Sequence, residues 1–237
     1  MGRYLLKFTK EGNIRYISHL DLLRVFQRAM KRAGISLRYS QGFNPHAKIS
    51  FAHPLSLGYS STGEYMEFET TDGKTAEAQL YALRECMPEG IRLLFCSPLP
   101  ETAKTSLAAA VTHASYVVRF RGERSAGTVM EKKSAEYIRQ EQIICRKLNK
   151  KKKEVQTDIR PLILSFSSVK TEGSDAVFSM TLRTGSSGNL NPEMLIRSFC
   201  GFCGVEYIRH QWDYRRTEMY FLPQRARQIR PLEEFAG

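Results

Sequence analysis

Long apolar runs are missing from this sequence. Nothing in it approaches the ~18 apolar residues that a membrane span needs, so no membrane partner is expected. The opening MGRYLLKFTK has an apolar core too short for a secretory signal, and no small-residue cleavage site follows it. Cysteine is sparse: five thiols (Cys86, Cys96, Cys145, Cys200, Cys203) in 237 residues form an odd set. That argues against a disulfide framework and for reduced thiols in the cytoplasm. Acidic residues are short as well, 24 against 36 Lys and Arg, for a net charge of +12.

The deficit of acids is regional. Residues 1–60 hold ten basic side chains and only Glu11 and Asp21, net +8; residues 61–120 are net −3 and residues 121–160 net +6. Positive charge confined to patches is the footprint of a polyanionic or acidic partner. At 42% apolar and 25% charged, the composition is otherwise that of a globular protein.

Hydrophobic periodicity gives the order of elements. RYLLKFTKEG reads as a strand ending near Gly12. SHLDLLRVFQRAMKRAG follows as a helix, capped by Ser18 with Asp21 three positions on and stopped at Gly34. Leu22, Leu23, Phe26, Met30 and Ala33 make its buried stripe, with Arg24, Arg28, Lys31 and Arg32 opposite. LRYS, KISFAHPL and GEYMEFET read as strands, KTAEAQLYALRECMPEG as a second helix and IRLLFCSPL as a further strand. The order is β-α-β-β-α-β, the ferredoxin-like pattern. After a linker, 99–114, the order repeats. SYVVRFRG is a strand, AGTVMEKKSAEYIRQEQIICRKL a long helix running into NKKKKE, and VQTDIRPLILSFSSV and AVFSMTLRT are strands. NPEMLIRSFCGF is a helix capped by Asn191 with Pro192 first, and VEYIRHQWDYRRTEMYFL a closing strand. The expected fold is α+β: tandem ferredoxin-like units with antiparallel sheets over 1–98 and 115–237.

Chemistry-bearing residues concentrate between Ile14 and Phe51. In YSQGFNPHAKI, Gly42 permits a positive φ and Pro45 keeps Asn44 out of a helix, while Gln41, Asn44, His46 and Lys48 can address one ligand. Tyr39 and Phe43 offer faces for a base; the alternative is a turn anchored by a buried Phe43. Arg24, Arg28, Lys31 and Arg32, with Arg15 nearby, are expected to contact a phosphate backbone or an acidic protein surface, and His19, in the first helical turn, is expected to face the sheet as a phosphate donor or general base. Asp21 points toward Arg24 and Arg28, a helix ion pair. All these cations are expected to converge on one surface made by sheet, first helix and following turn. The run Lys150–Lys153, with Arg146 and Lys147, adds affinity without specificity.

Gly185, Ser186, Ser187, Gly188 and Asn189 precede a helix N-terminus and suit an anion, though the P-loop Lys and G-x-G-x-x-G are lacking. Cys200 and Cys203 form a C-x-x-C without a second pair, so no metal is expected and buried thiols are the simpler reading. Glu67 and Glu69 lie on the outer face of a strand beside Glu64 and are read as solvated carboxylates rather than metal ligands.

IRYISHLDLLRVFQRAMKRAGISLRYSQGFNPHAKISFAHPLSLGYSSTGEYMEFE, DIRPLI and LRTGSSGNLNPEMLI resemble the radical SAM-linked proteins. The resemblance implies a bacterial cytoplasmic protein encoded beside, or fused to, a radical S-adenosylmethionine enzyme, with ribosomal and ribonuclease genes nearby. This chain has no C-x-x-x-C-x-x-C, so an iron–sulfur cluster and S-adenosylmethionine would belong to the partner, and no cofactor is expected here. A second similarity is architectural: tandem ferredoxin-like units with a His near the first helix look like CRISPR repeat-processing endoribonucleases. Their glycine-rich loop lies between the last helix and last strand, whereas 185–188 precedes that helix. The expected function is an accessory protein that binds structured RNA or delivers it to the radical SAM enzyme in tRNA or rRNA metabolism. The alternatives are a metal-independent endoribonuclease using His19, and a protein-interaction subunit of that enzyme.

Overall fold

In the computed structural model, residues 2–100, 105–148, 154–169, 175–186, 188–224 and 226–235 are described. The fold is mixed α+β on a large, mostly antiparallel sheet. Two compact units divide the chain: residues 1–112 with 216–237, and residues 113–215.

The first unit contains β1 (Gly2–Lys10), α1 (His19–Arg32), β2 (Ile49–Phe51), β3 (Ser60–Thr70), α2 (Ala76–Arg84), β4 (Leu93–Leu99) and a short α3 (Leu107–Ala110). β1 lies between β4 and β3, antiparallel to both, and β2 pairs antiparallel with β3. Alternation along β1 and β3 sorts their side chains onto two faces. Tyr4, Leu6, Phe8, Met66 and Phe68 enter the core against Leu22, Phe26, Ala29 and Met30 of α1. Phe8, Phe26 and Phe51 meet edge to face there, with centroids 4.8–5.9 Å apart. Arg3, Lys7, Tyr65, Glu67 and Glu69 alternate with these residues and take the opposite face. Ser18 caps α1 as expected, its Oγ accepting from the Asp21 amide at 3.1 Å.

The second unit contains β5 (Val111–Phe120, from His113 on), α4 (Arg124–Arg139), β6 (Ile144–Leu148), β7 (Glu154–Asp158), β8 (Ile163–Val169), β9 (Ala176–Arg183) and α5 (Pro192–Cys203). β9 lies between β5 and β8, antiparallel to both. Its core stacks Tyr137, Phe166, Phe178 and Phe199. α4 approaches β9 closely at Gly127, where a Cβ would stand 3.2 Å from that of Ala176. β10 (Trp212–Phe221) begins in this unit beside β5; its second half, from Arg216, belongs to the first unit and pairs with β3 and with β11 (Arg230–Pro231).

The structure differs from the sequence reading in several places. Of LRYS, only isolated bridges form, Leu37 to Thr70 and Tyr39 to Ala47, because the Gly42–Pro45 loop interrupts pairing. The long helix ends at Arg139; Gln140 takes an extended ψ of 137°, and Ile144–Leu148, entered from Ile143, becomes a strand paired with β7. Pro161 sits in a short 3-10 turn that separates β7 from β8. In place of a linker, the described part of 99–114 holds α3 and the start of β5. Residues 216–237 pack with the first unit because Arg216 and Glu218 are bonded to Glu64, Tyr65 and Lys7 there.

Candidate nucleic-acid interface

The 39–48 loop is stitched at its neck. The Tyr39–Ala47 bridge closes it, the Ser40 amide donates to the His46 carbonyl at 2.9 Å, and the His46 amide donates to Ser40 Oγ at 3.1 Å. His46 Nδ1 lies 3.0 Å from the same hydroxyl, so the ring is oriented by the loop itself. Beyond this neck Gln41, Gly42, Phe43, Asn44 and Pro45 are exposed, Gly42 at φ 134°. Phe43 is fully exposed and Tyr39 is 55% exposed. The buried-anchor alternative for Phe43 is therefore excluded. A benzyl group held in water forgoes roughly 2 kcal/mol of burial, which a flat ligand recovers on stacking.

Lys48 behaves differently from expectation. Its Nζ bonds Glu69 at 3.1 Å, and Arg38 Nη1 bonds the same carboxylate at 2.9 Å. Arg3 pairs with Glu67 alongside. Glu67 and Glu69 are thus not solvated carboxylates but the counter-charges of three cations. Arg3, Lys48, Glu67 and Glu69, with Ser40, His46 and Ser50, line a cleft of about 280 Å³ on the sheet face opposite α1. A polar wall of balanced charge has little pull on a polyanion.

The basic stripe of α1 lies on the other side of the sheet. Arg24, Arg28, Lys31 and Arg32 are exposed, Arg24 in an ion pair with Asp21 at 2.8 Å and Arg32 donating to the Cys86 carbonyl. Bonds from Ser18 and Arg24 hold the Asp21 carboxyl below the usual range, so it stays charged and offsets part of the stripe. Arg15 stacks its guanidinium 5.0 Å from the Tyr16 ring. Tyr16 and Leu20, both exposed and not anticipated, border the stripe. His19 is exposed, its ring set edge to face against Phe51 with centroids 5.1 Å apart, so it only partly faces the sheet. The first-third cations therefore do not converge: Lys48 and Arg38 share the Glu69 carboxylate on one face, and the α1 guanidiniums stand on the other.

The strongest charge pairing is buried nearby. Arg216 donates through Nε and Nη2 to the Glu64 carboxylate, with the two side chains 1% and 5% exposed, and through Nη2 to the His53 carbonyl at 2.8 Å. Lys10 Nζ donates to the Ile17 carbonyl at 3.1 Å. Burial lowers the pKa of Lys10 and His53, and Arg216 lowers both further. These bonds tie down Ile17, which leads into α1, and His53, which follows β2.

In the second unit, the 185–189 loop is bonded internally: Thr184 Oγ1 donates to Asn189 Oδ1 at 3.2 Å, and the Leu190 amide to the Arg183 carbonyl. Gly185 and Gly188 have φ of 90° and 159°; Ser186 is exposed, and Ser187 lies outside the described residues. The N-terminus of α5 is already satisfied by Asn191 Oδ1, which accepts from the Glu193 amide at 2.8 Å. The Lys150–Lys153 run also lies outside the described residues. Cys200 and Cys203 close α5 and are buried, which pushes their thiols up to about 12 and about 11 and leaves them protonated at neutral pH. Among the described residues no group of three or more His, Cys, Asp or Glu could hold a metal ion, and no helix is long and apolar enough to cross a membrane.

Residues 3–192 match the family described as "Uncharacterized protein conserved in bacteria (DUF2344)". No curated protein matches the chain. Among solved structures, a "Cbf5-Nop10-Gar1 Complex" is similar at 12% identity and a TM-score of 0.46, over 91% of this chain and 48% of that one. A "Structure of H/ACA RNP bound to a substrate RNA containing 2'-deoxyuridine" follows at 12% and 0.43, over 91% and 47%. The chain spans about half the length of these chains, and likenesses of this size carry no functional inference.

Proposed function

We propose, from the premise that the chain belongs to the bacterial DUF2344 family, that it binds structured RNA and presents it to a radical SAM enzyme. The observation that carries this reading is the 39–46 loop: a pre-stitched neck holding Phe43 wholly in water, with Gln41, Asn44 and His46 beside it. Phe43 and Tyr39 stack unpaired bases, and Gln41 and Asn44 hydrogen-bond their edges. Arg24, Arg28 and Lys31 contact phosphates of an RNA long enough to reach both elements. Lys48 stays with Glu69 and fixes the base of the loop. The chemistry of a cluster and S-adenosylmethionine lies with the partner, and this chain supplies binding and orientation.

The strand orders support a tandem ferredoxin-like reading. β4-β1-β3-β2 in the first unit and β10-β5-β9-β8 in the second each place the fourth, first, third and second strands of a β-α-β-β-α-β unit side by side. The endoribonuclease alternative has no comparable support, since His19 rests against Phe51 and Asp21 is committed to Ser18 and Arg24.

The test is anisotropy of a labelled hairpin RNA with wild type and Phe43→Ala across a salt series. Loss of a stacked base weakens binding by about 1–3 kcal/mol. Unchanged affinity would refute the loop as the base-reading element. Co-purification with the neighbouring radical SAM enzyme, retained after nuclease treatment, tests the partner separately.

A further inference from the structure

The hairpin of β6 and β7 is a two-stranded sheet of its own. Its register pairs Ile144 with Asp158, Cys145 with Thr157 and Arg146 with Gln156. The Ile159 amide donates to the Ile143 carbonyl at 2.9 Å, while the Ile143 amide donates to the Asp158 carboxylate, so 143–159 is the bonded position that opens the ladder. Antiparallel alternation then places Cys145 in the next bonded pair and turns the amides and carbonyls of Ile144 and Arg146 away from β7. Among the described residues no other strand pairs with that edge.

Facing the edge is α5. Between them runs a groove of about 570 Å³, lined on the helix side by Asn191, Met194, Arg197 and Ser198. An open strand edge beside a helix, with a groove between, is what an extended peptide needs: main-chain bonds to the edge and seats for alternate side chains. Ile144, exposed, and Met194, half-buried, provide apolar seats. A nucleic acid has no amide–carbonyl alternation to satisfy that ladder.

The charge selects the occupant. Glu193 is the one carboxylate lining the groove; Arg197 bonds it at 2.7 Å and Arg209 approaches at 3.6 Å. Arg146 also lines the groove, with Glu154 3.9 Å away. Two arginines, Arg146 and Arg197, face one carboxylate in the lining, and the β6 wall belongs to a stretch (121–160) of net +6. We propose that the groove between β6 and α5 binds an extended acidic peptide segment of a partner protein, added to β6 as a third strand.

A fluorescein-labelled ten-residue peptide of alternating Val and Glu, titrated with the full chain and followed by anisotropy and by amide shifts of Ile144 and Arg146, tests this. Expected are saturable binding, shifts at both amides, and at least tenfold weaker binding of the same peptide N-methylated at alternate amides. The Val–Lys version is expected to bind at least tenfold less tightly. Arg146→Pro removes a groove-facing donor and no β6–β7 bond, and is expected to abolish binding. Met194→Glu, on α5 and independent of hairpin folding, is expected to weaken it at least tenfold. Absence of Val–Glu binding, equal binding of the N-methylated peptide, or wild-type affinity in Met194→Glu would overturn the proposal. Displacement of the peptide by oligo(U), with the same variants losing oligo(U), would overturn it in favour of RNA.

Discussion

Two arginine settings in the first unit make opposite uses of the same side chain. Arg216 is fully buried, bidentate on Glu64, and bonded to the His53 backbone. Arg24 and Arg28 stand in water on α1, Arg24 with a single ion pair to Asp21. Desolvation makes the first indispensable to the fold, because removing its counter-charge strands a cation in the interior. Hydration makes the second nearly neutral for stability and leaves it available to a ligand. The burial of a charge, more than its sequence neighbourhood, separates architecture from recognition.

The sharpest way to break that contrast is Glu64→Gln. It is expected to cost about 3–5 kcal/mol in urea unfolding, since Arg216 loses its partner without a route to water. A cost near that of a surface substitution would end the distinction. On the exposed side, Phe43→Ala is expected to leave stability within about 0.5 kcal/mol of wild type while RNA affinity falls. A lowered unfolding midpoint would mean that Phe43 is structural after all. Ser18→Ala, at the junction of the two settings, is expected to lose about 1 kcal/mol through the α1 cap.

The charge-reversed pair Arg24→Glu/Arg28→Glu is expected to reduce the slope of log affinity against log salt by about 2, one for each phosphate contact removed. An unchanged slope would place the phosphates elsewhere. The smallest expected effect is a pH dependence. Burial, with Arg216 beside it, depresses the folded pKa of His53, and burial with Arg183 does the same for His113. A depressed folded value means stability present above the unfolded pKa, about 6.5, and lost as pH falls through the folded value. Thermal midpoints should therefore decline on acidification below neutrality, less steeply in His53→Gln.

Much of the fold was legible because its signals are local. The Ser18 cap, the stripe of α1, the Asn191–Pro192 start of α5 and the alternation of β1 and β3 each occupy a few consecutive residues. The hairpin of β6 and β7 was missed because helix-forming QEQ leads straight into IICRKL, and pairing with 154–158 decides the outcome. The candidate site was half legible. Exposure of Phe43 depends on what the rest of the chain leaves uncovered, and the pairing of Lys48 with Glu69 depends on β2 and β3 meeting in register.

By itself the sequence determined most of the strands and helices of the first unit, the capped starts of α1 and α5, and an excess of cations gathered in particular stretches. Tertiary structure alone decided which cations are spent: Arg216 finds Glu64 across 152 positions, and Lys48 and Arg38 find Glu69 across 21 and 31. The reason is that Coulomb attraction and desolvation act through space, and separation along the chain says little about either until the strands have paired.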